Sequence, residues 1–362
     1  MDDLYIKTPQ YRYGPLKRSD AKWLIEEGLS TGQDLLWSPK KQAWVRLGNI
    51  KDFKPYFERA KTKTVTSKVV AVASGKGGVG KTAVTASLGI ELGRLGKKVV
   101  VVDADFGGPD LHEWVGVSRP IITINTFFQY KDVNLEQLLV GTPFPNVQLI
   151  GGEIGNLAHA NPRHMQREKF FRQLHKLTAD YVLVDMSPGV SFQTIDLFLS
   201  CDEGIIITIP DPTSFMDAFN FIRAAVMRKL QATMNFCDFS MAKLQEFENW
   251  DWQKYETPLY TIFEKIQNYN PRAASIFIAT LKSMRLKLVT NMIYSDRETR
   301  DSVAFCQKID KLLMVNLRYL GHIDYNNSMR QIAKEHRPFA LSTPEDFKEY
   351  PSPKISLNFP LG

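Results

Sequence analysis

The clearest chemical signal in the chain is SGKGGVGKT, residues 74–82, in which four glycines surround two lysines. The stretch satisfies G-x-x-x-x-G-K-[ST], with an apolar run before it and a helical pattern after it. Glycines let backbone N–H groups turn toward phosphate oxygens, and the N-terminus of the following helix adds partial positive charge. The sequence therefore predicts a phosphate loop made of Gly75, Lys76, Gly77, Gly78, Val79, Gly80, Lys81, Thr82 and Ala83.

Two residues of this loop have defined roles in such motifs. Lys81 is predicted to neutralise the β- and γ-phosphates of a bound nucleotide, and Thr82 to place its hydroxyl on Mg²⁺. A phosphate loop needs only one lysine, so Lys76 requires a separate explanation.

Acidic residues end two further apolar runs. YVLVDMSPG ends in Asp185, positioned to hold Mg²⁺ through a water, and Gly189 can offer an N–H to the γ-phosphate. VVVVDADFGGPD ends in Asp103 and Asp105, and a carboxylate there can orient the attacking water. An aspartate at a strand end is also a common helix cap. Ligands bind at the carboxyl ends of parallel strands, so motifs converging on one edge favour a nucleotide site.

The elements that must position these residues are short apolar runs separated by helical patterns. Continuous apolar runs are typical of strands buried on both faces, which predicts an α/β fold with a mostly parallel sheet flanked by helices. Residues 231–283 read as a long helical insertion without assigned chemistry. The predicted strands cover residues 69–74, 99–105, 147–152, 181–186, 204–210, 286–293 and 319–323.

Composition shifts divide the chain. Residues 58–67 lack an apolar period and are predicted to be a linker between a small α+β module, 1–57, and a nucleotide-binding domain, 68–345. A proline-containing tail, 346–362, follows. The net charge is +7, and residues 1–66 hold 13 Lys and Arg against 8 Asp and Glu, so the basic character lies mainly in the N-terminal part.

The bulk composition also excludes some classes of protein. Three scattered cysteines form no CxxC pair, and the chain has no signal-like start and no long uncharged apolar run. These features predict a protein of the reducing cytoplasm.

The combination of KGGVGKT, DAD and D-x-x-P-G resembles the deviant Walker A ATPases of the MinD/ParA family, which are P-loop NTPases, over residues 68–345. DADFGGPDLH, DMSPGVS, IPDPTS, NMI and RPFALSTP are most similar to its FlhG-like branch, whose members position and count flagella. The resemblance implies a homodimer that sandwiches two ATP molecules. Lys76 would cross to the partner's nucleotide, so that the dimer forms with ATP and separates after hydrolysis.

The same resemblance implies further roles at the site. Asp105 would polarise the attacking water, and Asp103 would support the metal shell. Asn291 resembles the family's adenine contact, and Pro210 with Asp211 lies in the loop that meets the edge of the base. A strand-end asparagine is also a simple turn former, and that alternative remains open.

The chain departs from the family pattern in two places. GHIDYNN, which contains Asp324, stands where the family has a proline followed by an aspartate. The tail contains Pro351, Pro353 and Pro360, which break the basic membrane-binding helix found in MinD and FlhG proteins. No membrane helix is therefore predicted.

The N-terminal module resembles the GYF-like domain of bacterial proteins. Such domains bind proline-rich peptides on aromatic surfaces, which implies a proline-rich protein partner. The tail YPSPKISLNFP is a candidate ligand of this module in cis, and Tyr5, Tyr13 and Trp23 are candidates for exposure. The resemblance rests on Tyr13-Gly14-Pro15, Trp23, Glu27-Gly28, Trp37 and Trp44, the last two predicted in the core.

The sequence thus predicts a cytoplasmic, ATP-switched dimer that hydrolyses ATP and positions or counts a structure such as the flagellum or the division machinery. It is expected to reach a pole or another site through a partner. One alternative is a ParA-like DNA-partitioning ATPase, although DNA is not favoured because the larger part has no long cationic run. Another is a scaffold that binds nucleotide without turnover. An iron-sulfur carrier would need clustered cysteines.

Overall fold

The computed structural model describes residues 3–9, 11–38, 42–62, 67–118, 120–153, 164–237, 239–240, 258–325 and 355–357. The chain forms two compact units. The N-terminal unit comprises Met1–Thr64, Val226–Arg285 and Gln307–Asn316, and the large-sheet unit comprises Val65–Ala225, Leu286–Cys306 and Leu317–Gly362.

The strands and α-helices are numbered in chain order over the described residues. The strands are β1 (Leu4–Lys7), β2 (Arg12–Leu16), β3 (Leu35–Ser38), β4 (Ala43–Arg46), β5 (Lys68–Ala73), β6 (Val99–Ala104), β7 (Val140–Gly141), β8 (Val147–Ile150), β9 (Tyr181–Met186), β10 (Glu203–Thr208), β11 (Arg285–Ile293), β12 (Asn316–Asp324) and β13 (Ile355–Leu357). The helices are α1 (Arg18–Glu26), α2 (Lys54–Thr62), α3 (Lys81–Arg94), α4 (Leu111–Trp114), α5 (Ile124–Gln129), α6 (His164–Leu174), α7 (Phe192–Ser200), α8 (Pro212–Met234), α9 (Leu259–Tyr269), α10 (Pro271–Ser283) and α11 (Asp296–Leu313).

The N-terminal unit contains an antiparallel sheet of order β2-β1-β3-β4. One face packs its apolar residues, including Ile6 and Leu36, into a core with Leu24 of α1. The prediction that Tyr13 is exposed was wrong, because the side chain is only 3% exposed and burial raises its pKa to about 12.

The three tryptophans of the module lie between core and surface. Trp23 is half-buried, with its ring centroid 6.0 Å from that of Phe236. Trp37 and Trp44, predicted in the core, are also half-buried and meet edge to face at 5.6 Å.

Helix α10 belongs to the same unit and contacts the module directly. Arg272 donates two hydrogen bonds, of 2.8 and 2.9 Å, to the buried carboxylate of Asp20. Ser275 Oγ donates to the Gly14 carbonyl at 2.8 Å and accepts from the Gly14 N–H at 3.1 Å. The sequence predicts that residues 226–285 belong to the nucleotide-binding domain, 68–345. In the structure these residues group with the N-terminal segment.

The large-sheet unit is built on nine described strands in the order β13-β12-β11-β10-β5-β9-β6-β8-β7. β5 pairs in parallel with β9 and β10, and β6 pairs in parallel with β8 and β9. All six residues of β6, β9 and β10 are buried. This burial explains the continuous apolar runs and confirms the predicted α/β fold with a mostly parallel sheet.

Part of the tail adds a strand to this sheet. Ile355–Leu357 pairs antiparallel with β12, with Ile355 opposite Ile323. The hypothesis that this part of the tail is a ligand of the N-terminal module was therefore wrong, and the rest of 346–362 lies outside the described residues. Among the helices that the structure describes, none combines the length and apolar character needed to cross a bilayer.

Candidate functional site

The phosphate loop connects β5 to α3, and two of its glycines are required by close approach. Gly80 has φ +85°, and a Cβ there would clash with the side-chain amide of Asn291. A Cβ on Gly75 would clash with the backbone of Asp217 in α8. Any side chain at either position would displace the loop from the edge of the sheet.

Lys81 and Asp185 form a buried ion pair beside this loop. Lys81 Nζ lies 2.8 Å from Asp185 Oδ2, and the two side chains are 7% and 0% exposed. Thr85 donates to Asp185 Oδ1 at 2.9 Å. Burial raises the pKa of Asp185, while Lys81, Thr82 and Thr85 oppose the rise. Asp185 therefore balances the charge of Lys81 in this structure.

Asp105 lies at the end of β6 with its carboxylate oriented by neighbouring groups. Its Oδ1 accepts from Ser187 Oγ and from the Gly107 N–H, both at 3.1 Å, and its Oδ2 lies 3.9 Å from Lys81 Nζ. Ser187 also accepts the Phe106 N–H at 3.2 Å, which ties the loop after β6 to the loop after β9. These contacts hold the Asp105 carboxylate beside Lys81.

Asp103 is a buried carboxylate that binds the backbone of the loop after β6. It is 1% exposed and accepts the N–H groups of Asp105 and Leu111, each at 3.1 Å. Burial, followed by repulsion from Asp185, raises the pKa of Asp103 to about 8. Both of its oxygens hold the backbone that carries Asp105, so Asp103 positions that loop.

These elements surround a cavity of about 590 Å³, a volume in the range of small-molecule sites. Seven loop residues predicted to contact phosphate line it, together with Asp105 and Asn291. Trp114 and Tyr325 also line the cavity and were not predicted from the sequence, although Trp114 follows soon after the DADFGGPD motif. The lining consists of Ser74, Gly77, Gly78, Val79, Gly80, Lys81, Thr82, Ala83, Asp105, Gly108, Asp110, Trp114, Pro188, Asn291, Met292, Asp324 and Tyr325.

Part of the cavity is lined by residues at the C-terminal ends of β11 and β12 and by Tyr325, which follows β12. Asn291 Nδ2 donates to the Val79 carbonyl at 2.9 Å and its Oδ1 accepts the Met292 N–H, so its amide ties the phosphate loop to β11. Tyr325 stacks on Tyr294 with ring centroids 4.3 Å apart. This aromatic pair supplies a flat surface of the kind that bases stack on.

Lys76 does not line this cavity. Its Nζ donates to Asp211 Oδ2 and to Thr213 Oγ1, both at 3.0 Å, and lies 3.9 Å from Asp217 Oδ2. The hydrogen bond from Thr213, followed by that from Lys76, lowers the pKa of Asp211 to about 2. The structure therefore places Asp211 beside Lys76.

Five other predicted residues also lie outside the cavity lining, and two of them are the buried carboxylates Asp103 and Asp185. Gly75 packs against α8, and Pro210 precedes Asp211. The Gly189 N–H donates to the Ser74 carbonyl at 3.0 Å, so in this structure it is engaged with the backbone of the phosphate loop.

The oxygen donors at this corner fit a magnesium ion. Apart from the ion pair, neither Lys81 Nζ nor Asp185 Oδ2 has a hydrogen-bond partner within the described residues, and the Thr82 hydroxyl lies beside them. Mg²⁺ is commonly held by one or two protein oxygens, waters and substrate phosphates. In the part of the chain that is described, no group of three or more His, Cys, Asp and Glu side chains could by itself hold a metal ion.

The comparisons with known proteins agree with this architecture. A family model described as ParA, NUBPL iron-transfer P-loop NTPase, matches residues 65–246. The chain is 31% identical over 185 residues to the septum site-determining protein MinD of Synechocystis, covering 50% of this chain and 68% of that protein. It is 23% identical over 295 residues to the antiactivator FleN of Pseudomonas aeruginosa, covering 81% and 83%. Some other curated relatives are matched over only about half of their length.

A solved structure shares the fold. The septum site-determining protein MinD from Pyrococcus horikoshii, complexed with Mg-ADP, superimposes with a TM-score of 0.51 at 22% identity, covering 77% of this chain and 90% of that one. Parallel sheet, phosphate loop and strand-end aspartates together define a P-loop NTPase. The chain belongs to the ParA family, whose MinD- and ParA-type enzymes hydrolyse ATP.

Proposed function

We propose that the chain is an ATP-dependent dimerising switch that controls the position or number of a cellular structure, with the division machinery and the flagellum as candidates. The observation that carries the proposal is the position of Lys76. Its ammonium binds Asp211 and Thr213 and does not line the cavity that Lys81 lines. We infer that this lysine serves the nucleotide of a second copy once it has left Asp211.

The relatives support the assignment to spatial control. One is a septum site-determining protein, and another is an antiactivator that matches most of this chain. We extend the proposal to a cytoplasmic protein that reaches its site through a protein partner. The GYF-like resemblance implies a proline-rich partner for the N-terminal module, and no contact among the described residues favours that class of ligand.

The proposed reaction is attack of water on the γ-phosphate of ATP. Asp105, held by Ser187 and Gly107, orients the water and accepts its proton. Lys81 exchanges its contact with Asp185 for phosphate oxygens and neutralises their charge. Thr82 and Asp185 would hold Mg²⁺, which supplies further charge neutralisation when bound.

The test is the solution mass of the Asp105→Ala protein, measured by light scattering after size exclusion with ADP and with ATP and Mg²⁺. A monomer with ADP that becomes a dimer with ATP is the expected result. Adding Lys76→Ala should leave the protein monomeric with ATP. Lys229→Ala, in the later part of α8, is the matched lysine control and should leave the ATP-dependent dimer intact. An unchanged mass in every state would overturn the switch and favour a nucleotide-bound scaffold.

Two other functional hypotheses make different predictions about this protein. A DNA-partitioning ATPase would be retained on duplex DNA in an ATP-dependent manner, with binding that falls steeply with salt. The iron transfer in the description of the family model calls for grouped cysteines. This chain has three separate ones, of which Cys237 and Cys306 are buried.

A further inference from the structure

Six aromatic and basic side chains share one face of the N-terminal sheet. In antiparallel pairs, residues directly opposite each other point to the same face. Lys7 lies opposite Arg12 and Leu35, Leu35 lies opposite Arg46, and Trp37 lies opposite Trp44. We call this surface the aromatic–basic face; it comprises Tyr5, Lys7, Arg12, Trp37, Trp44 and Arg46.

Contacts within the aromatic–basic face hold its central cation in place. The Arg12 guanidinium lies 5.2 Å from the centroid of Tyr5 and 5.4 Å from that of Trp44. Trp44 in turn meets Trp37 edge to face. The three rings are half-buried while Lys7, Arg12 and Arg46 are exposed, so apolar ring surface and cations are presented together.

Within the described part of the unit, the charge on this face has no acidic partner. The four strands contain Lys7, Arg12 and Arg46 but no aspartate or glutamate. Among the described residues, no carboxylate forms an ion pair with these three cations, whereas Arg18 pairs with Asp52 elsewhere in the unit. Three unneutralised cations on one face call for an anionic ligand.

The opposite side of the module is already covered. Ile6, Tyr13 and Leu36 on that side are buried, and Ser275 and Arg272 of α10 bind Gly14 and Asp20. Among the described residues of this unit, the aromatic–basic face is therefore the side of the sheet that α1 and α10 leave uncovered.

We propose that the aromatic–basic face binds single-stranded nucleic acid. Bases stack on aromatic rings and on guanidinium planes, and lysine and arginine neutralise the phosphates between them. A four-stranded sheet offers room for two or three bases. A proline-rich peptide would use the rings but leave the three cations without partners, so the charge of this face favours the polyanion.

The experiment uses the full-length protein without nucleotide and follows fluorescence anisotropy of a labelled single-stranded oligo(dT) or oligo(U). The expected salt dependence of the association constant, with three phosphates contacted, is a log–log slope of about −2. Replacing all three cations together, Lys7→Gln, Arg12→Gln and Arg46→Gln, should abolish that slope. Trp44→Ala should weaken binding at least about fivefold, and Trp44→Phe should retain most of it.

A matched triple variant separates this face from net charge. Arg18→Gln, Lys51→Gln and Lys54→Gln remove the same charge from exposed positions outside the four strands. Oligonucleotide binding that survives in this control and is lost in the face variant supports the proposal. Three results would overturn the proposal. The first is an equal loss of oligonucleotide binding in the two triple variants, and the second is no oligonucleotide binding by the native protein at low salt. The third is that the protein binds a proline-rich peptide through Trp44 and does not bind the oligonucleotide. Because ATP is absent, these outcomes are independent of the dimer measurement.

Discussion

At the scale of single residues, the site contains two lysines in opposite situations. Lys81 is buried against Asp185, while Lys76 is about one-third exposed and is held by Asp211 and Thr213. The first is placed to meet a phosphate in its own cavity. The second must leave Asp211 before it can meet any other anion, so Asp211 competes with the proposed dimer.

This competition predicts the effect of Asp211→Asn. Loss of the carboxylate should let the ATP-bound dimer form at a protein concentration about two- to fivefold lower, because exposed ion pairs contribute modestly. Light scattering across a dilution series measures it. Asp217→Asn is the control, since its carboxylate lies 3.9 Å from Lys76 and its removal should matter less. A dimer that becomes weaker in Asp211→Asn would assign Asp211 to the dimer contact instead.

Asp103 predicts a dependence of stability on pH. Its folded pKa, about 8, is above the unfolded value of 3.8, so between these values the folded state binds the extra proton. Stability should therefore fall as pH rises through this window, by up to about 1.4 kcal/mol per pH unit from this group. Calorimetry of the nucleotide-free protein between pH 5 and 8 should show that the stability of Asp103→Asn falls less with pH than that of the native protein. Asp110→Asn, an exposed aspartate of the same loop, should retain the native dependence.

At the scale of elements, α10 depends on an ion pair buried against the module. Asp20 is 0% exposed, and removal of a partner from a buried pair commonly costs about 3–5 kcal/mol. Arg272→Met should therefore speed hydrogen exchange at the Gly14 amide, which donates to Ser275. Asp20→Asn combined with Arg272→Met should recover part of the protection, because no unpaired charge remains. Unchanged exchange in Arg272→Met would show that Ser275 and apolar packing suffice.

The elements also show which parts of the fold could be predicted from sequence. YVLVDM predicts a strand over 181–186, and β9 covers Tyr181–Met186, because burial on both faces leaves a continuous apolar run. The phosphate loop is equally local. The contact of Lys76 with Asp211 joins residues 135 positions apart, and the contact of Arg272 with Asp20 joins residues 252 apart. No local periodicity encodes such pairs, so neither was predicted.

At the scale of the whole molecule, the chain is divided into units that are not continuous in sequence. The N-terminal unit needs residues from Val226–Arg285 as well as Met1–Thr64. A chain that begins at residue 65 should therefore expose apolar surface of α8 and α10, and increased fluorescence of a hydrophobic dye would measure it. The full-length protein in the same buffer is the reference. A truncated chain with no added dye binding and an unchanged unfolding transition would contradict this prediction.

The discontinuity also affects how the protein is made. Synthesis proceeds from the N-terminus at about 5–20 residues per second, so the ribosome needs on the order of 10–50 seconds to travel from the end of the module to Arg272. Throughout that interval Asp20 has been synthesised, but Arg272, its ion-pair partner, has not. The nascent module must remain soluble with an incomplete surface, which makes this interval the stage at which a chaperone would be most useful to the chain.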